Sequence, residues 1–92
     1  MQRLRYLART YFHQDCDTEA PTPLGVVELF RADETDEAVR ELLTDIETAI
    51  SAARSDEALE EIWLRQCGAM YNPTSDGLTF REWFESMRTV LS

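Results

Sequence analysis

The chain has 92 residues, 43% of them apolar, and a formal net charge of −9. That length fits one domain, expected to span residues 1–92. The strongly acidic balance argues against direct binding of nucleic acid or anionic lipid and in favour of a basic partner. The charge is also uneven. Residues 1–14 hold three Arg and no acid, residues 15–61 hold fifteen Asp or Glu against three Arg, and the remainder balances. No apolar run reaches the roughly 18–20 residues of a membrane span. The opening run MQRLRYLARTYF lacks the unbroken apolar core of an export signal, so a cytoplasmic protein is expected. The two cysteines, Cys16 and Cys67, are too few for a disulfide framework and are expected as free thiols.

Five helical stretches are predicted in chain order, and no strand. The first covers about residues 2–13, with Leu4, Leu7, Ala8, Tyr11 and Phe12 on one stripe. After a break over 14–21, Thr22 is placed to cap a second helix and Pro23 to occupy its first turn. That helix runs to about Ala32 and turns Val26, Val27, Leu29 and Phe30 inward. Thr35 caps the third, which extends to about Arg54. Its apolar face carries Val39, Leu42, Leu43, Ile46, Ala49, Ile50 and Ala53, and its solvent face carries Arg40, Glu41, Thr44, Asp45, Glu47 and Thr48. Ser55 opens a fourth helix that ends where Gly68 takes a left-handed conformation. Loop 69–78 holds two turn signals, Asn72–Pro73 and Asp76–Gly77. Thr79 and Glu82 then form a capping box for the last helix, which presents Phe80, Trp83, Phe84, Met87, Val90 and Leu91. Short connections favour antiparallel neighbours, so the expected fold is all-α, a compact antiparallel bundle of about five helices.

Catalytic signals are missing from the sequence. It has no Gly-rich phosphate loop, no nucleophile elbow and no Ser/His/Asp set, and its single His stands without a nucleophile. His13, Asp15, Cys16 and Asp17 form the one compact group of possible metal ligands. Zinc would need Cys67 from a second segment, and no second His is available. A helix end whose polar side chains satisfy loose backbone groups is the simpler reading. No enzyme activity, metal or cofactor is expected.

The acids are the main functional signal. Asp36, Glu37, Asp56 and Glu57 sit in first turns, where negative charge favours the helix. The surplus costs self-repulsion without aiding the fold. In an up-and-down bundle Asp15, Asp17, Glu19, Asp56, Glu57, Glu60 and Glu61 would gather at one end. Asp33, Glu34, Asp36, Glu37 and Glu41 would gather at the other. Either end is a candidate docking surface, although Glu61 also has Arg65 four residues on as an ordinary surface partner. The aromatics Tyr6, Tyr11, Phe12, Phe30, Trp63, Phe80, Trp83 and Phe84 are expected mostly in the core. Tyr71, in the loop, is the expected exposed anchor.

The run Leu4–Arg5–Tyr6–Leu7 leading into Tyr11–Phe12–His13–Gln14–Asp15, the acidic turn after it, and the closing Asp76–Gly77–Leu78–Thr79–Phe80–Arg81–Glu82–Trp83 resemble a family of small bacterial immunity proteins. These belong to contact-dependent growth inhibition systems. The likeness spans nearly the whole chain, and its specific part is YFHQD. An aromatic residue, often Trp, usually follows HQD in that family, whereas Cys16 stands there in this chain. The resemblance implies a helical protein that binds and neutralises the cognate C-terminal toxin domain of a large secreted effector. Such toxins are often nucleases with basic active surfaces, which agrees with the charge. His13 and Gln14 are not carried over as binding residues, because the motif is compatible with a purely structural role. The alternative is an acidic helical adaptor or subunit of a larger complex with no toxin.

Overall fold

A computed structural model describes residues 1–12 and 22–92. Among the described residues there are five α-helices and no strand: α1 (Gln2–Thr10), α2 (Pro23–Asp33), α3 (Asp36–Ala52), α4 (Asp56–Glu60) and α5 (Phe80–Leu91). α4 runs directly into a π-helical stretch, Glu61–Gln66, and a short 3₁₀ turn, Pro73–Asp76, precedes α5.

The helix starts lie where local chemistry puts them. Thr22 accepts from the Gly25 N–H, Thr35 from Ala38 and Ser55 from Ala58, at 3.0, 3.1 and 3.2 Å. Thr79 and Glu82 close a reciprocal capping box at the head of α5. Each such cap contributes about 1 kcal/mol. Gly68 and Gly77 both sit at positive φ, +74° and +80°, and so reverse the chain where a side chain would be strained.

Three boundaries differ from expectation. α1 ends at Thr10, because the Tyr11 and Phe12 N–H groups both turn back to the Leu7 carbonyl. α3 ends at Ala52, since Ala53 is already extended. The fourth helix widens into i→i+5 bonding, a change with no simple sequence signal, and its last N–H, on Cys67, bonds Ile62 O at 2.9 Å. Leu59, in α4, Trp63, in the widened stretch, and Cys67, just past it, are all buried in the core.

α3 packs against both α1 and α5, and α2 packs against α5. Arg81 at the start of α5 bonds the Ala53 carbonyl just past the end of α3, so these two helices run antiparallel. Arg31 near the end of α2 bonds the Val90 carbonyl near the end of α5, which aligns those two in the same direction. Two aromatic groups form, one within the core and one reaching from it to the surface. Phe12, Trp63, Trp83 and Phe84 meet edge-to-face with ring centres 5.3–6.1 Å apart. Phe30 meets Tyr6 and Tyr11 at 6.1 and 5.4 Å. Leu29, expected inward, is only half-buried.

Candidate partner-binding surface

Two acids serve the fold by capping helices other than their own. Asp45, expected on the solvent face of α3, is partly buried and accepts from the Arg3 and Leu4 N–H groups at 3.0 and 3.1 Å. Asp56, expected at a docking end, accepts from Phe80 and Arg81 N–H at 3.1 and 2.9 Å. The expectation for Asp45 is corrected and Asp56 is given a task in the fold, and one reason accounts for both. The first N–H groups of a helix have no intrahelical partner, and a carboxylate on a neighbouring helix supplies one. Near Asp56, Glu57 and Glu60 are exposed, and Glu61 pairs with Arg65 at 3.4 Å on the same helix.

The corner between α2 and α3 is different. Glu34, in the short link between these helices, accepts two phenol hydroxyls on one oxygen: Tyr6 at 3.0 Å and Tyr11 at 2.8 Å. The hydrogen bond to Glu34, then burial, raises the Tyr6 phenol above its ordinary pKa. For Tyr11 burial acts first and the Glu34 bond second, in the same direction. Tyr6 remains 37% exposed, one of few large apolar side chains so presented. Its ring centre lies 5.5 Å from the Arg3 guanidinium, which pairs with Glu41 at 3.3 Å. The structure thus joins Glu34, Tyr6, Arg3 and Glu41 into one continuous polar–aromatic surface, with exposed Asp33 beside Glu34. A shallow hollow lined by Glu37, Arg40, Glu41 and Thr44 continues it along α3.

Of the residues singled out in the sequence, Asp33, Glu34 and Glu41 fall in this corner, while Asp56, Glu57, Glu60 and Glu61 lie apart on the fourth helix. Asp15, Asp17 and Glu19 lie outside the described residues, as do His13 and Cys16 of the weighed metal group. Among the described residues, no three His, Cys, Asp or Glu converge to hold a metal. Buried Cys67 has its thiol pushed up in pKa, first by burial.

Tyr71 corrects an expectation of exposure. Its ring is half-buried against Phe12 and Trp83, with centres 5.8 and 4.9 Å away. Its hydroxyl donates to Asp76 at 2.7 Å, and its carbonyl accepts the Trp63 indole N–H at 2.9 Å. Conversely, sequence reasoning did not single out Tyr6 or Arg3 for the surface. The usable signal was their i, i+3 spacing on the polar side of the first helix, beside an apolar stripe that already had enough residues.

Among the described residues, no helix is long and apolar enough to cross a membrane. No curated protein matches the chain. A crystal structure of a CdiA-CT/CdiI complex from Y. kristensenii 33638 contains a chain of the same fold. The TM-score is 0.91 at 22% identity, covering 99% of this chain and 97% of that one. The family model described as CdiI immunity protein matches residues 1–91. With that match running along virtually its whole length, the chain belongs to the CdiI immunity protein family.

Proposed function

We propose that this protein acts in the cytoplasm as a stoichiometric inhibitor of the C-terminal toxin domain of a contact-dependent growth inhibition effector, and that this toxin is a nuclease. The observation that carries the reading is the whole-chain match to an immunity family. The CdiA-CT/CdiI complex whose chain shares the fold supports a toxin domain as the partner. The charge of −9 supports a basic surface on that partner, as a nuclease needs for phosphates. The protein binds and does not catalyse.

The docking surface in this proposal is the Glu34–Tyr6–Arg3–Glu41 corner. Glu34 is half-buried and held by the Tyr6 and Tyr11 hydroxyls, and exposed Glu41 is held by Arg3, which lowers the cost of ordering them on binding. An exposed tyrosine at the centre supplies the aromatic contact on which interfaces depend, and Asp33 and Glu37 add charge around it. The carboxylates occupy Lys and Arg side chains that the toxin otherwise uses to hold nucleic acid.

Co-expression with the toxin domain encoded immediately upstream tests the class. Cells carrying both are expected to survive, and cells carrying the toxin domain alone to die. Equal death in both would reject the reading and leave the adaptor alternative. Association should slow steeply with added salt, since the Debye length falls to about 8 Å at physiological strength. An on-rate indifferent to salt removes electrostatic steering. If the toxin's active site is plugged, cleavage of a dinucleotide stops in the complex. If a neighbouring site is covered, dinucleotide cleavage persists while long substrates are refused.

A further inference from the structure

The proposed docking corner already holds a cation of the chain's own. Arg3 Nη2 reaches the two Glu41 carboxylate oxygens at 3.4 and 3.3 Å. Those are long for charge-assisted bonds, which run to about 2.7–2.9 Å. The Arg3 Nε–H is shielded from water and has no hydrogen-bond partner among the described residues. A shielded donor left unmade is a net cost to its host. The guanidinium is therefore seated on Tyr6 and against Glu41, but held loosely.

The backbone of the same residue is held independently. The Arg3 N–H donates to Asp45, as does that of Leu4. The side chain can swing away without undoing the start of α1. The seat it would vacate is built in advance, because the Tyr6 hydroxyl is tied to Glu34, which fixes the ring that Arg3 covers.

We infer that this seat receives an arginine of the toxin domain, and that Arg3 is a placeholder displaced on docking. The inference rests on the toxin-binding reading above. Arginine fits the seat better than lysine does, because its planar face lies on a phenol ring while its forked N–H groups reach carboxylates. Arg3 shows part of that geometry within the free protein, with its guanidinium carbon 5.5 Å from the Tyr6 ring centre and Nη2 alone on Glu41. On this account Arg3 keeps an exposed aromatic covered and the Glu41 carboxylate neutralised until a competing guanidinium brings better hydrogen bonds.

The test uses the full chain and the toxin domain encoded immediately upstream. Arg3→Gln keeps the backbone bond to Asp45 and empties the seat, so binding should tighten about two- to fivefold, the worth of an exposed cation–π contact. Arg54→Gln, at an exposed position past the end of α3, makes the same change in net charge away from the seat and should have a smaller effect. Tyr6→Leu should weaken binding. In isotope-labelled wild type, the Arg3 Nε–H resonance should move to the position of a solvated arginine when the complex forms. Weaker binding by Arg3→Gln, a gain no larger than that of Arg54→Gln, or an Arg3 resonance that stays in place would overturn the placeholder. A wild-type chain that fails to bind the toxin domain at all would instead overturn the immunity reading beneath it.

Discussion

The two acidic regions of this protein look alike in the sequence and differ in the structure. Where α3 leads into α4, the partly buried carboxylate of Asp56 turns inward to cap α5, and Glu61 pairs with its own helix's Arg65. At the α2–α3 corner, Glu34 and Glu41 instead hold the side chains of an exposed tyrosine and an exposed-edge arginine. In the first region Asp56 satisfies a helix end and Glu61 an ordinary pair on its own helix, so these two acids are explained by local and folding needs. The second also orders side chains at the surface, around exposed Tyr6. A count of carboxylates cannot separate these cases, whereas the identity of each carboxylate's partner does.

The largest expected effect breaks or upholds that distinction directly. Reversing charge in the corner, Glu34→Arg with Glu41→Arg, should weaken toxin binding roughly a hundredfold, in the range of close charge pairs across interfaces. Reversing Glu60→Arg with Glu61→Arg should cost less than about tenfold, through long-range field alone. Binding measured by calorimetry on both variants, with helicity checked by circular dichroism, compares them. Equal losses would erase the difference between the regions.

A second effect falls on stability. Asp56→Ala orphans two N–H groups at the head of α5 and should cost about 1–2 kcal/mol. In a domain of this size each 1 kcal/mol lowers the melting temperature by about 4–8 °C. Asp45→Ala should behave similarly through α1. Both should leave affinity for the toxin near wild type once the protein is folded. A loss of affinity in Asp56→Ala without loss of stability would place that acid at the interface after all.

A third prediction concerns alkaline pH. Tyr6, Tyr11 and Tyr71 all have phenols raised above the ordinary value of 10.0. The folded protein keeps the proton that the unfolded chain loses near pH 10. The stability these groups contribute is therefore whole below about pH 10 and drains away as pH climbs past it. Denaturant titrations at pH 8 and above 10 check the sign. In Glu34→Gln the Tyr6 phenol should titrate lower, seen by its ultraviolet phenolate band. An unchanged titration would mean that Glu34 does not hold that tyrosine in solution.

The smallest effect is the control for the comparison. Glu57→Gln with Glu60→Gln should change stability by no more than about 0.5 kcal/mol, as exposed helix positions usually do. A larger change in thermal melting would reveal a structural task for these acids.

Much of this protein is determined by the sequence alone, because the signals are local. Thr22, Thr35, Ser55 and Thr79 each cap the helix they precede, and Leu42, Ile46 and Ala49 recur at helical spacing and are buried. Such features involve residues within about one turn of one another, so periodicity and capping chemistry reveal them. The tertiary structure alone decided which acids are spent on folding. Asp45 meets Arg3 across 42 positions and Asp56 meets Phe80 across 24, distances over which no sequence pattern operates. The same holds for Tyr6, Tyr11 and Glu34, which converge only because α1 packs beside the α2–α3 corner. Tyr71 shows the converse error, since a loop position implies exposure until Phe12 and Trp83 are brought beneath its ring. A carboxylate carries the same charge wherever it sits, and only the packing of helices determines which donor reaches it first.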